Sequence, residues 1–147
     1  MKPQPIDTKY IEWKSAEELH QISMNWISEL KFIKDELTFL TDLIINVASP
    51  IISKKIFAKS NKLIKELDQK KKELNPILKK LIEHCNKLII LIDGVDQLKE
   101  EKKYKKEHQE ISIKISNYFD NYKKNKRETF DLVKDIIKKK KQKKLLN

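Results

Sequence analysis

Residues 57–95 read FAKSNKLIKELDQKKKELNPILKKLIEHCNKLIILIDGV. Within them Phe57, Ser60, Ile64, Leu67, Lys71, Leu74, Leu78, Leu81, Cys85, Leu88, Ile92 and Val95 follow one another by alternate steps of three and four, and ten of these twelve are apolar. That spacing keeps a narrow apolar seam on one side of a helix that packs against other helices. Asn75-Pro76 interrupts the stretch. Asn as an N-cap and Pro in a first turn would split it into two helices. The seam nevertheless keeps its phase from Leu74 to Leu78, so the reading is one helix over 51–97 with a kink at Pro76. Lys71 is a polar residue at a seam position, where such residues fix register or oligomer state at some cost in stability.

The same spacing appears on either side. Ser15-Ala16-Glu17-Glu18 is a capping box that starts a first helix over 15–48. Its seam is Leu19, Ser23, Trp26, Leu30, Ile33, Leu37, Leu40, Ile44 and Val47, with Ser23 as the weak member. Ser49-Pro50 ends it, because the residue before proline avoids the α region. Downstream, Asp93-Gly94 offers a stop, and residues 99–110 hold almost no apolar side chain, so the second connection is placed at or just before them. A third helix over 106–140 follows, with Ile111, Ile115, Tyr118, Tyr122, Asn125, Thr129, Leu132 and Ile136 as its seam. Three long helices with short connections predict an all-α, antiparallel up-down-up bundle. The predicted layout is an extended arm at 1–14, one bundle domain at 15–138 and a basic tail at 139–147.

Composition narrows the alternatives. The chain has 147 residues, one glycine and four prolines, which leaves few of the positive-φ positions that tight turns need. Sandwiches, barrels and doubly wound α/β folds are thereby disfavoured, and Gly94 alone cannot form a glycine-rich phosphate loop. Cys85 is the only cysteine, so no intrachain disulfide or cysteine-rich zinc site is expected. The longest uninterrupted apolar run, Leu88 to Ile92, has five residues, whereas a membrane span takes roughly 20. The expectation is a cytoplasmic protein with no integral membrane association.

Few residue constellations point to chemistry. Glu17 and His20 have the Glu-x-x-His spacing of di-iron bundles, but position 81 is Leu and position 105 is Lys, so neither His84 nor His108 completes a second copy. His84 and Cys85 are adjacent, which on a helix points them about 100° apart and sets up a nucleophile and base poorly. Asp93-Gly94-Val95-Asp96 lacks the ligands that would continue a calcium loop. No enzyme activity, cofactor or metal is predicted.

The charge is uneven. Residues 1–50 carry 5 basic and 8 acidic side chains, 51–98 carry 11 and 6, and 99–147 carry 17 and 8, giving the net +11. Lys70, Lys72, Lys102, Lys103, Lys105, Lys106, Lys123, Lys124, Lys126 and Arg127 form dense clusters and are the candidate polyanion-binding residues. Tyr104, Tyr118 and Tyr122 lie among them, where stacking on bases would be an option. Only one of the 33 basic residues is arginine, the better partner for phosphate, so part of the lysine excess is attributed to AT-rich coding. The first helix has surplus apolar residues off its seam. Ile27, Phe32 and Phe39 among them are the candidate protein interface. The predicted function is that of a non-enzymatic interaction or scaffold protein that binds a macromolecular partner and self-associates. The alternative is a non-sequence-specific nucleic-acid- or ribosome-associated protein.

Overall fold

The computed structural model describes residues 14–48, 53–93 and 98–146, with side chains over 14–48, 53–87 and 99–144. Three helices make up almost all of it: α1 over Ala16–Ala48, α2 over Lys54–Asp93 and α3 over Leu98–Leu146. They pack as an all-α three-helix bundle, with no strand among the described residues. The arm before residue 14, the Ser49-Pro50 stop and Gly94 to Gln97 lie outside the described residues.

Local chemistry sets the helix starts. The Ser15 hydroxyl accepts the Glu18 amide at 3.1 Å, the N-cap half of a capping box, and the Ser15 carbonyl accepts the Leu19 amide at 3.1 Å as the first helical bond. α2 starts just after Ser53, whose carbonyl takes the Phe57 amide at 3.0 Å. α2 then runs through Pro76 without interruption. The expected start of the third helix near 106 is corrected to Leu98, and the basic residues assigned to a tail after 138 belong to the same helix up to Leu146.

The helices form two compact units, each taking part of every helix. Of the described residues, the first unit holds 14–32, 73–93 and 98–120. The second holds 33–48, 53–72 and 121–146. The α1 seam is buried as expected from Leu19 through Ile44, except that Trp26 is half-buried and Ile27 takes a core place beside it.

In the early α2 seam Ser60 and Leu67 are buried as expected, but two positions differ by one residue from the sequence reading. Ile56 and Leu63 are buried, Ile64 is half-buried, and Phe57 is 65% exposed. Lys71 is likewise exposed, and its ammonium donates to the Thr38 hydroxyl at 2.9 Å. It is no buried register device. In α3 the seam continues upstream of Ile111 to His108 and Tyr104, both buried.

The Ser and Thr hydroxyls of the seams are satisfied within their own helices. In the second unit Ser60 donates to the Ile56 carbonyl and Thr129 to the Asn125 carbonyl, both at 2.8 Å, so burial leaves neither hydroxyl proton unpaired. Also in that unit, Lys140 donates to the Val47 carbonyl at 2.9 Å. α1 has no basic residue in its own last turn, so Lys140 supplies the positive charge that a helix C-terminus favours.

Candidate functional site

The strongest concentration of titratable chemistry lies inside the first unit. Heptad position puts it there. Ser23 occupies the α1 seam, His84 stands three residues after buried Leu81, and His108 stands seven before buried Ile115. Each therefore faces inward, and the exposures of His84 and His108 are 0% and 1%. Glu107, beside His108, sits on the shoulder of α3 and is half-buried.

The hydrogen bonds form a chain across α1, α2 and α3. Lys87 Nζ donates to Glu107 Oε2 at 2.6 Å, and His84 Nδ1 lies 2.9 Å from Glu107 Oε1. Burial alone would push the Glu107 carboxyl up, but the hydrogen bonds from Lys87 and His84 outweigh it and hold the group below its ordinary value. An ionised carboxylate can only accept, so His84 Nδ1 carries the proton and donates. Nε2 of the neutral ring is then an acceptor, and His108 Nδ1, 3.1 Å away, is its donor. The same His108 nitrogen lies 3.5 Å from Ser23 Oγ, whose proton goes to the Leu19 carbonyl at 2.9 Å. Aromatic faces clamp both imidazoles. Tyr104 stacks on His84 at 4.1 Å between centroids, with 8° between planes, and Trp26 stacks on His108 at 5.1 Å and 22°.

Burial is the largest influence on both rings. It lowers His84, where the Glu107 carboxylate partly offsets it and Lys87 and His20 add to it. It pushes His108 down to about 4, with His84 and Lys14 adding to the effect. Both imidazoles are neutral at pH 7. Burial also raises the Cys85 thiol, against the pull of the Ser23 hydroxyl. It raises the Tyr104 phenol to about 12, with Cys85 and Glu107 adding to the rise. A buried thiol held as the neutral form is a weak nucleophile. What the arrangement can do is hold neutral rings in fixed tautomers and respond when protons are added. Among the described residues, no three His, Cys, Asp or Glu side chains are grouped so as to hold a metal ion.

The residues predicted from sequence fall into four groups. Ile27 is buried in the first unit and is corrected from an outer-face residue to a core residue. Phe32 and Phe39 are 64% and 59% exposed. The lysine clusters are divided between the units and partly engaged. In the first unit Lys102, Lys103 and Lys106 are exposed, while Lys105 is half-buried and reaches Glu101 at 3.4 Å. In the second, Lys123, Lys124 and Arg127 are exposed. Lys72 pairs with Asp68 at 3.2 Å, Lys70 is half-buried, and Lys126 meets Glu36 at 2.6 Å and lies over the Tyr122 ring. Tyr104, Tyr118 and Tyr122 are all buried, which removes them as stacking platforms for bases.

The sequence reading missed His84, His108 and Tyr104 as partners. The available signal was spacing. Positions 104, 108, 111 and 115 repeat the four-three-four pattern, hidden in a lysine-rich stretch. No protein-family model matches the chain, and no curated protein or solved structure matches it either.

Proposed function

We propose that this chain is a non-enzymatic helical-bundle interaction or scaffold module that binds a macromolecular partner, self-associates and works in the cytoplasm. The observation that carries the reading is the exposure of Phe32 and Phe39 on a helix whose seam, half-buried Trp26 apart, is already buried from Leu19 to Ile44. Large aromatic side chains left in water beyond what the core uses are typical of association surfaces. The second unit adds Phe57 and Phe130 to its exposed apolar residues. The histidine–carboxylate chain supports the non-enzymatic part of the proposal, because its rings are buried on all sides and its thiol and phenol are held neutral. Among the described residues no helix is long and apolar enough to cross a membrane, which fits a partner met in water.

The test is a sedimentation measurement of native mass on the chain carrying Phe32→Ser and Phe39→Ser. The proposal expects an assembly larger than one chain before substitution and a smaller one after it, with unchanged helicity. An unchanged assembly mass, or a monomer before substitution, overturns it.

A second reading rests on the exposed Lys123, Lys124 and Arg127 of α3, followed by exposed Lys138, Lys139, Lys141, Lys143 and Lys144. A backbone-tracking contact to RNA, free or in the ribosome, would use such a row. It predicts binding to a synthetic RNA homopolymer that falls steeply with salt and is lost with Lys123→Ala, Lys124→Ala and Arg127→Ala. Salt-insensitive binding, or none, disposes of it.

A further inference from the structure

We propose that the His84–His108 pair is a proton-operated latch, which loosens the first unit under mildly acidic conditions while the second unit keeps its packing. All three histidines of the chain, His20, His84 and His108, lie in the first unit, and the second unit's core is built from Leu, Ile and Val with Ser60, Tyr122, Asn125 and Thr129.

The geometry explains why added protons are disruptive. Each ring nitrogen of His84 already has a defined role, Nδ1 donating to Glu107 and Nε2 accepting from His108 Nδ1. A proton placed on His84 Nε2 meets the His108 Nδ1–H head-on at 3.1 Å, unless the His108 ring changes tautomer. A second proton puts two imidazolium cations in contact. The surroundings do not compensate. Lys14 and half-buried His20 face the pair from the α1 side. Lys87 and the neutral Cys85 thiol face it from α2, and the Tyr104 phenol and the Glu107 carboxylate from α3. Glu107 is the one carboxylate in that set, and Lys87 already occupies its second oxygen. Extra positive charge in a buried site with one committed counter-charge is relieved by exposing the rings to water.

The direction follows from linkage. A ring held near 4 when folded, against an ordinary 6.5, binds no excess proton above pH 6.5, so folding is unaffected there. Below 6.5 the open form takes up protons that the folded form refuses, until the folded ring itself titrates near 4. Between pH 7.5 and 5.0 this favours the open form by about thirtyfold from His108 alone.

The test is amide hydrogen exchange of the full chain at pH 7.5 and 5.0, read by peptide mass and corrected for intrinsic exchange rates. The latch predicts that opening within 14–32, 73–93 and 98–120 rises by about thirtyfold. Opening within 33–48, 53–72 and 121–144 should change less than about threefold. The double variant His84→Leu, His108→Leu should lose the difference between the units. His20→Gln, which leaves the stacked pair intact, should keep it. Equal acceleration in both units, no acceleration in the first, or loss of the response in His20→Gln would each overturn the proposal.

Discussion

The two units use the same three helices and the same heptad spacing, yet they fill their cores differently. The second relies on Leu37, Leu40, Ile44, Ile56, Leu63, Leu67, Leu132 and Ile136, with hydroxyls that bond back to their own helices. The first keeps Leu19, Leu30, Leu74 and Leu81, and its Ser23 and Ser112 also bond back to their own helices, but it adds two imidazoles that bond to one another and to Glu107 between helices. Intrahelical hydroxyl bonds tolerate a small shift of one helix against another. An interhelical chain such as Glu107–His84–His108 fixes the register of α2 against α3 and ties that register to protonation. Helix packing thus involves histidine in one unit and not in the other.

That contrast can be broken most forcefully in the second unit. Leu40→Ala removes a side chain with no exposed surface and should cost about 3 kcal/mol. Denaturant unfolding at pH 7.5 and at pH 5.5 should give the same loss, because no group that titrates in that range touches the cavity. A loss that doubles at the lower pH would mean that the units do not differ as described.

The next effect in size belongs to the first unit. Lowering the pH from 7.5 to 5.0 should remove about 2 kcal/mol from its stability through His108, whose folded form is pushed down to about 4. The loss begins below pH 6.5 and is complete near 4. Glu107 has the opposite sign of charge but the same direction of effect, since its lowered carboxyl adds stability that disappears only as the pH falls below its ordinary value of 4.5. A melting curve that is flat from pH 7.5 to 5.0 would contradict this account of His108.

Smaller effects sharpen the comparison at its edges. Ser15→Ala removes the hydroxyl that accepts the Glu18 amide and should cost about 1 kcal/mol, seen as a lower Tm without loss of helix content. Phe39→Ser should change monomer stability by less than about 0.5 kcal/mol, because the ring is mostly in water. Its effect should appear in native mass instead, and a large drop in Tm would mean that the ring belongs to the core.

Much of the fold was legible from residue spacing alone. The α1 seam could be read directly because every third or fourth position there is apolar except Ser23. The first half of α2 misled by one position. Ile56 and Phe57, and again Leu63 and Ile64, are adjacent apolar pairs, and only packing decides which member faces inward. The unbroken three-four spacing picks Phe57 and Ile64, and a step of four from Leu67 places Lys71 in the seam. The start of α3 was illegible for a different cause. Its inward residues, Tyr104 and His108, are surrounded by lysines and glutamates, so an apolar count sees a solvated connection. Polar side chains that are buried because they pair across helices leave only their spacing in the sequence of one helix, and an apolar count does not read it. The candidate site therefore emerged only when α1, α2 and α3 were brought together.

The most direct test of the buried, neutral histidine pair is a titration of the imidazole nitrogens by long-range nitrogen–proton NMR. The account predicts that His84 and His108 are both neutral at pH 7, with the His84 proton on Nδ1, and that His108 shows no protonation until the pH approaches about 4. A His108 ring that titrates near 6.5 in the folded protein, or a His84 proton found on Nε2, would contradict it.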